Sequence, residues 1–206
     1  MRYIFTLLLL VLPRLAFAHP HIFITTALTV EVDENGQATA VGITWTYDPL
    51  YSLLILEDKE LDDDYDGKLR PDEIAQLSGF DMQWIDGYEG DLYASLGGVS
   101  VPLGPPQSLG AVFEDGMIIT KHRRSLSAPA TGLVLQAYDP TYYSAYDLNG
   151  GVSILGPCLA FVDPADIETA TDIVAALLVD RPQTDENTYF PEVGIHFADT
   201  VTLSCD

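Results

Sequence analysis

The sequence is poor in basic residues. Nine lysines and arginines stand against 31 aspartates and glutamates, and the formal net charge is −22. A chain of this charge repels nucleic acids and anionic membrane surfaces and attracts cations. We therefore expect no nucleic-acid partner. Acidity also keeps proteins soluble, so the charge alone does not separate a cation-binding role from a solubility requirement.

Long apolar runs are lacking after the first residues, and a membrane-spanning helix needs about 20 of them. The short apolar run at 3–12 follows Arg2 and leads to Ala16-Phe17-Ala18. A basic start, an apolar stretch and an A-x-A site are typical of a secretory signal peptide. We predict a signal peptide over 1–18 and a single secreted domain over 19–206, without membrane insertion.

The sequence contains two cysteines, Cys158 and Cys205. In an exported protein an even pair favours a disulfide. By chain entropy, closing such a long loop contributes about 4 kcal/mol to stability. Two free thiols or a metal thiolate site are the alternatives, and a lone, widely spaced pair disfavours the thiolate site.

Recognisable catalytic motifs are missing from the sequence. It contains no G-x-S-x-G, no H-E-x-x-H and no glycine-rich phosphate loop. We therefore predict that the protein is not an enzyme, and we assign no catalytic residue.

What the sequence does contain is a series of short alternating segments separated by turn signals. Residues 23–32 and 38–47 alternate apolar and polar residues around the turn Asp33-Glu34-Asn35-Gly36, which predicts a β-hairpin. A helix over 163–179 is predicted from its apolar spacing. Further strands are predicted at 92–96, 99–103, 109–113, 117–126, 133–138, 152–155, 193–197 and 201–204. The pattern predicts a mainly β (α+β) fold with β-sandwich-like strands.

Two helices are predicted as an insertion after the first hairpin. Asp48 can cap a helix over 50–61, with Pro49 in its first turn. The second helix starts near Pro71 and continues toward Trp84. The segment Tyr47-Asp48-Pro49 recurs as Tyr138-Asp139-Pro140. This indicates either two related β units, at about 19–90 and about 91–206, or a chance repeat of Asp-Pro.

The acidic segment between these helices matches the twelve-residue calcium loop of EF-hand type. Aspartates occupy positions one, three and five, Gly67 permits the sharp turn at position six, and a glutamate closes position twelve. Arg70 at position nine cannot bind a cation, so a water is expected there. The predicted Ca²⁺ ligands are Asp62, Asp64, Asp66, the backbone carbonyl of Lys68, and Glu73.

No second EF-hand-type loop accompanies the first in the sequence. A lone extracellular site commonly binds Ca²⁺ weakly, on the order of 10⁻⁴ to 10⁻³ M. A structural role, ordering the helical insertion, is therefore favoured over signalling. The alternative is an acidic, solvated turn without an ion.

Histidine is also scarce, and two of the four histidines would open the processed chain. Cleavage before His19 would give one metal both an α-amine and an imidazole, and His21 would face the same side on a strand. Pro20 has no N–H, which excludes a copper site built on deprotonated amides. An amine and imidazoles suit Zn²⁺, Ni²⁺, Co²⁺ or Cu²⁺. The alternative is two exposed histidines at a frayed terminus.

The other two histidines carry weaker predictions. His122 belongs to the basic cluster Lys121-His122-Arg123-Arg124. We expect this cluster to be a solvated strand face, with a contact for an acidic partner as the alternative. His196 is expected to be a packed or edge histidine of a strand. The sequence does not reveal whether either joins a metal site.

Several motifs, in order, resemble a secreted bacterial family catalogued as domain of unknown function 1007. They are Ala18-His19-Pro20-His21-Ile22-Phe23-Ile24, Thr44-Trp45-Thr46-Tyr47-Asp48, the Asp-rich loop, and Tyr138-Asp139-Pro140-Thr141-Tyr142-Tyr143. The resemblance implies a periplasmic component of an uncharacterised ABC-type transport system. It also implies a link to nickel, cobalt or zinc uptake and a membrane metal transporter as partner.

Two functional hypotheses follow. The first is a periplasmic metal-binding accessory protein for transition-metal uptake, with His19 and His21 as ligands and a structural calcium site. The second is a calcium-stabilised, secreted protein-interaction module without transition-metal binding, with contacts through Tyr47 and Tyr138.

Overall fold

The computed structural model describes residues 20–179 and 191–205, which form two five-stranded sheets. The predicted signal peptide over 1–18 lies outside the described residues, as does His19. None of the helices in the described ranges has the length and hydrophobicity needed to cross a membrane.

Within the described residues the chain forms ten strands, three α-helices and one 3₁₀ helix. In chain order the elements are β1 (Ile22–Val32), β2 (Gln37–Tyr47), α1 (Pro49–Asp58), α2 (Pro71–Leu77), β3 (Leu92–Leu96), β4 (Val99–Val101), β5 (Gln107–Glu114), β6 (Met117–Pro129), β7 (Leu133–Ala137), β8 (Ser144–Leu155), β9 (Cys158–Asp163), α3 (Ile167–Val179), a 3₁₀ helix (Gly194–Phe197) and β10 (Thr200–Cys205). The prediction of a mainly β fold is confirmed.

The first sheet has the strand order β5-β6-β2-β1-β8, and the second has the order β4-β3-β7-β10-β9. The pairing of β1 with β8 is parallel, and the other pairings are antiparallel. Period-two alternation along β1 and β6 turns every second side chain inward. Burial then follows the apolar pattern, except for an inward polar group on these strands consisting of Thr26, Thr120, His122 and Arg124.

One hydrophobic core contains side chains from both sheets and from the helical insertion. The first sheet contributes Leu28 and Ile43 to this core, and the second sheet contributes Leu135 and Leu203. The helical insertion contributes Leu77. The first sheet also takes strands from both sides of residue 90. The two sheets therefore do not correspond to the two predicted β units at about 19–90 and about 91–206. Whether these units are related stays a prediction.

Helix and strand bounds differ from the predictions where glycine intervenes. Helix α2 ends at Leu77 rather than near Trp84, because Gly79 adopts a φ of +76° just beyond it. The predicted strand at 193–197 is a 3₁₀ helix. Gly194 packs so tightly against the backbone carbonyl of Asp139 that a Cβ would not fit.

The disulfide prediction is confirmed. Cys158 and Cys205 are direct register partners on β9 and β10, with Cα atoms 4.2 Å apart. Strand β9 was not predicted, because this edge strand exposes Leu159, Phe161 and Val162 and so lacks the expected alternation of apolar and polar residues. The bridge ties this edge strand to the last described strand.

Candidate functional site

The acidic loop brings three of its predicted ligands together. Carboxylate oxygens of Asp62, Asp64 and Asp66 all lie within 4.8 Å of one another. The loop curls because Asp62 Oδ1 accepts the N–H groups of Asp66 and Gly67, at 3.1 and 3.3 Å. Asp66 Oδ1 accepts the N–H of Lys68 at 2.8 Å. Three convergent carboxylates are a donor set suited to a hard cation such as Ca²⁺.

Glu73 is not a member of this aspartate group. Its side chain is buried, and its two oxygens accept the N–H groups of Asp62 at 3.3 Å and Arg70 at 2.7 Å. Glu73 thereby joins the two ends of the loop and caps α2. Helices flank the loop as expected, but α2 has only seven residues, so the EF-hand assignment stays a prediction.

A basic side chain lies beside the loop. The guanidinium of Arg70 contacts the carboxylates of Asp63 at 3.4 Å, Asp72 at 3.7 Å and Glu73 at 2.8 Å. These neighbours, led by the hydrogen bond to Asp63, raise the pKa of Arg70. The three predicted aspartate ligands lie near one another, whereas the predicted fourth side-chain ligand, Glu73, contacts Arg70.

Of the two N-terminal histidines, only His21 lies within the described residues. Its backbone N–H donates to the carbonyl of Tyr143 at 2.8 Å, and the two side-chain rings lie 4.9 Å apart. Across residues 20–179 and 191–205, the aspartate group is the one cluster of three or more metal-binding side chains. The transition-metal site at His19 and His21 stays a prediction.

The expectation of a solvated face around His122 was wrong. Alternation along β6 turns Lys121 and Arg123 outward but buries His122 and Arg124. The His122 ring lies 4.6 Å from the Trp45 ring, and burial together with the nearby Arg124 charge lowers the pKa of His122 to about 4. The four residues therefore do not form one basic surface.

Arg124 is stabilised by backbone carbonyls and by the nearby Glu89 charge: burial lowers the pKa of Arg124, and the Glu89 charge opposes that effect. Its guanidinium donates to the carbonyls of Gly104 at 2.8 Å, Glu89 at 2.5 Å and Leu103 at 3.3 Å. It also lies 4.9 Å from the Trp84 ring.

His196 does not belong to a strand. It lies exposed on the 3₁₀ helix. The prediction of a packed or edge histidine of a strand was therefore wrong.

A cavity of about 480 Å³ opens between the first sheet, α1 and the segment that follows α2. Its lining combines aromatic rings with acidic side chains. The lining residues are Ile22, Ile24, Trp45, Tyr47, Tyr51, Ile55, Asp58, Lys59, Phe80, Asp81, Gln83, Tyr88, Asp91, Ser144 and Tyr146. Pockets of this volume take small organic molecules.

One acidic wall of this cavity is Asp81. Its Oδ2 accepts the hydroxyls of Tyr47 at 2.8 Å and Thr120 at 2.6 Å. Its Oδ1 is buried and has no hydrogen-bond partner among the described residues. Tyr47 is itself buried, with its hydroxyl turned inward to Asp81, so the expected contact surface at this residue was wrong.

The second acidic wall is Asp91, whose side chain is only 5 % exposed. Oδ2 accepts the hydroxyl of Tyr146 at 2.8 Å, whereas Oδ1 has no hydrogen-bond partner in the described part of the chain. Burial raises the pKa of Asp91 to about 6, against the lowering effect of the Tyr88 and Tyr146 hydroxyls. Burying a carboxylate oxygen without a hydrogen-bond donor costs free energy of folding. The Oδ1 atoms of Asp81 and Asp91 are therefore unfavourable features of the described structure.

Sequence reasoning missed this cavity. Asp81 and Asp91 are two of 31 acidic residues and follow no motif. The one available signal was the cluster of aromatic residues around them in the sequence, from Phe80 to Tyr93.

Comparison with known proteins identifies a family. The family model described as Protein of unknown function (DUF1007) matches residues 4–205. No curated protein matches the chain.

Proposed function

The chain belongs to the DUF1007 family of proteins of unknown function, and from that premise we propose that it is a periplasmic accessory protein that binds divalent metal ions. The observation that carries the proposal is the convergence of the Asp62, Asp64 and Asp66 carboxylates to within 4.8 Å. Three like charges at this spacing repel one another, and a bound Ca²⁺ removes that repulsion.

In this proposal the calcium loop orders the helical insertion. The three aspartates and the Lys68 carbonyl are the ligands, and Glu73 joins them if it leaves Arg70. The loop links α1 to α2, and Leu77 of α2 is buried in the core. Calcium binding in the range of 10⁻⁴ to 10⁻³ M would therefore also raise the stability of the folded protein.

Isothermal titration calorimetry on the chelator-treated protein tests the calcium site. Asp64→Asn is the informative variant, because Asp64 belongs to the aspartate group and, among the described residues, its side chain makes no hydrogen bond or ion pair. Asp115→Asn, at the exposed β5–β6 turn, is the matched control. We expect Ca²⁺ uptake by the wild type and the control and at least tenfold weaker uptake by Asp64→Asn. The absence of uptake by the wild type would refute the site.

The transition-metal part of the proposal concerns the terminus. His19 and His21, with the free amine of His19, would hold Zn²⁺, Ni²⁺, Co²⁺ or Cu²⁺ for a membrane metal transporter. Metal analysis by mass spectrometry, comparing the terminus at His19 with an extended one, tests this. Equal metal content in both forms would contradict it.

The second candidate is a calcium-stabilised protein-interaction module. The observation that favours it is the outer face of α1, where Leu50, Leu53 and Leu54 are each more than half exposed. Leucines at positions i, i+3 and i+4 form one stripe on a helix. This candidate predicts no transition-metal binding and a partner whose binding is lost in Leu53→Ser and Leu54→Ser variants.

A further inference from the structure

We propose that the open edge formed by the end of β8 and most of β9 is the surface through which two copies of this chain associate. This surface comprises residues 150–162, and we call it the β8–β9 edge. The proposal is independent of the calcium loop and of the terminal histidines, because none of those residues belongs to the edge.

The first step of the argument is the position of the two strands. Strand β8 is an end strand of the first sheet and β9 is an end strand of the second, and within the described ranges each pairs with one neighbour only. The short turn Gly156-Pro157 joins them, so the two edges lie side by side near this turn. An edge strand keeps unpaired backbone N–H and C=O groups on its open side, and these groups can pair with another chain.

The second step is that the core is incompletely covered along this edge. Ile154 faces inward, because its register partner Val30 on β1 is fully buried, yet Ile154 is only half-buried. On β9, Val162 likewise lies opposite the buried Val201, yet it is 42 % exposed. Apolar side chains that face the core but remain in contact with water are stabilised when another surface covers them.

The third step concerns the side chains that point outward. Leu155, Leu159 and Phe161 are 60 %, 65 % and 54 % exposed. Leu159 and Phe161 are two positions apart on one strand, so they point to the same face of the sheet. Large apolar side chains that are concentrated in one exposed segment indicate an interaction surface, whereas single exposed ones do not.

The fourth step identifies a second copy as the occupant. Residues 150–162 contain no charged side chain, although the whole chain has a formal net charge of −22. Natural proteins commonly protect exposed edge strands with charged residues, and this edge lacks that protection. Two molecules of the same negative charge repel each other over most of their surfaces, so an uncharged apolar edge is where they can approach closely. A basic partner would instead be attracted to the acidic surfaces.

Analytical ultracentrifugation of the chain from His19 onward tests the association, and we expect a monomer–dimer equilibrium. Asp163, Asp166 and Glu168 follow the edge, so repulsion between the copies should oppose dimerisation. Raising the salt concentration from about 0.1 M to about 1 M shortens the screening length from about 10 Å to about 3 Å and should tighten the dimer about threefold or more. A dimer that weakens as salt is added would contradict the proposal. A wild type that stays monomeric up to about 1 mM would overturn it and leave a different protein as the occupant.

Variants locate the contact. Leu159→Glu and Phe161→Glu each place a charge on the edge, near its counterpart from the second copy, and we expect each to weaken dimerisation about tenfold or more. Val99→Glu is the matched control, because Val99 is 71 % exposed on β4, the end strand at the opposite edge of the second sheet. Near-ultraviolet circular dichroism verifies folding, and a variant that unfolds is replaced by the other. Unchanged dimerisation in the folded edge variants, or an equal loss in the control, would refute the assignment.

Hydrogen exchange at low and high protein concentration provides a second measurement on the unmodified chain. Backbone amides within residues 150–162 should exchange more slowly at high concentration, because a second copy removes them from water and pairs them. Protection confined to other parts of the chain would rule out the β8–β9 edge as the contact.

Discussion

The buried His122 allows a quantitative prediction about pH and stability. Its pKa is lowered from 6.5 to about 4, first by burial and then by the Arg124 charge. An unfolded chain therefore takes up a proton near pH 6.5, whereas the folded chain resists protonation until about pH 4. Since the unfolded state binds more protons in this window, the contribution of His122 to stability is lost as the pH falls.

The full shift corresponds to about 3 kcal/mol. Between about pH 7.5 and about pH 4.5, linkage gives a loss of roughly 2 to 3 kcal/mol from this single residue. His122→Phe removes the titrating group but keeps a ring of similar size against Trp45. The variant should lose roughly 2 to 3 kcal/mol less than the wild type over the same pH range.

Urea unfolding at the two pH values, with the disulfide intact, measures this difference. The comparison must be made between proteins, because Asp91 acts in the opposite direction. The pKa of Asp91 is raised to about 6, so its contribution to stability falls as the pH rises from about 4 to about 6. Trp45 and Trp84 both lie near His122, at 4.6 and 6.1 Å between rings, so their fluorescence reports on the site. Equal pH dependence in both proteins would refute the reasoning.

Three further predictions concern stability and calcium. Replacing Cys158 and Cys205 together by serine should lower the free energy of unfolding by up to about 4 kcal/mol, as judged by urea unfolding. Gly90→Ala should destabilise by about 2 kcal/mol in the same assay, since Gly90 has a φ of +68° and a Cβ there would clash with the Trp84 ring. Arg70→Gln should tighten Ca²⁺ binding about two- to fivefold in calorimetry, because it removes a positive charge beside the loop. Unchanged or weaker binding would contradict the proposed effect of Arg70.

The first hairpin and the first helix were predictable because their signals are local. Strands β1 and β2 begin and end within one residue of the predicted bounds. Asp48 caps α1 as expected, accepting the N–H groups of Leu50 and Tyr51 at 2.9 and 3.0 Å. The hydrogen bonds that the aspartate carboxylates accept within the acidic loop span five residues or fewer, so the convergence of the aspartates could be predicted from their spacing.

The side-chain partners of the same loop could not be predicted in this way. Glu73 matches the spacing of a calcium ligand, yet the buried start of α2 and the guanidinium of Arg70 compete for its oxygens. His122 looked like part of a basic surface because its sequence neighbours are charged. Its environment depends on which face of β6 packs against the core, and a run of polar residues carries no hydrophobic alternation to reveal that face.

By itself the sequence determined the mainly β class, the hairpin, the capped helix, the cysteine pair as disulfide candidates and the acidic loop. Each depends on periodicity, on turn chemistry or on the presence of a rare residue type. Only the tertiary structure decided the cavity, which joins Asp81 and Asp91 to Tyr47 and Tyr146. The hydrogen bond from Tyr47 to Asp81 joins residues 34 positions apart, and the one from Tyr146 to Asp91 joins residues 55 positions apart. A carboxylate becomes an unpaired, buried acceptor only when distant side chains exclude water from it, and no local pattern specifies that exclusion.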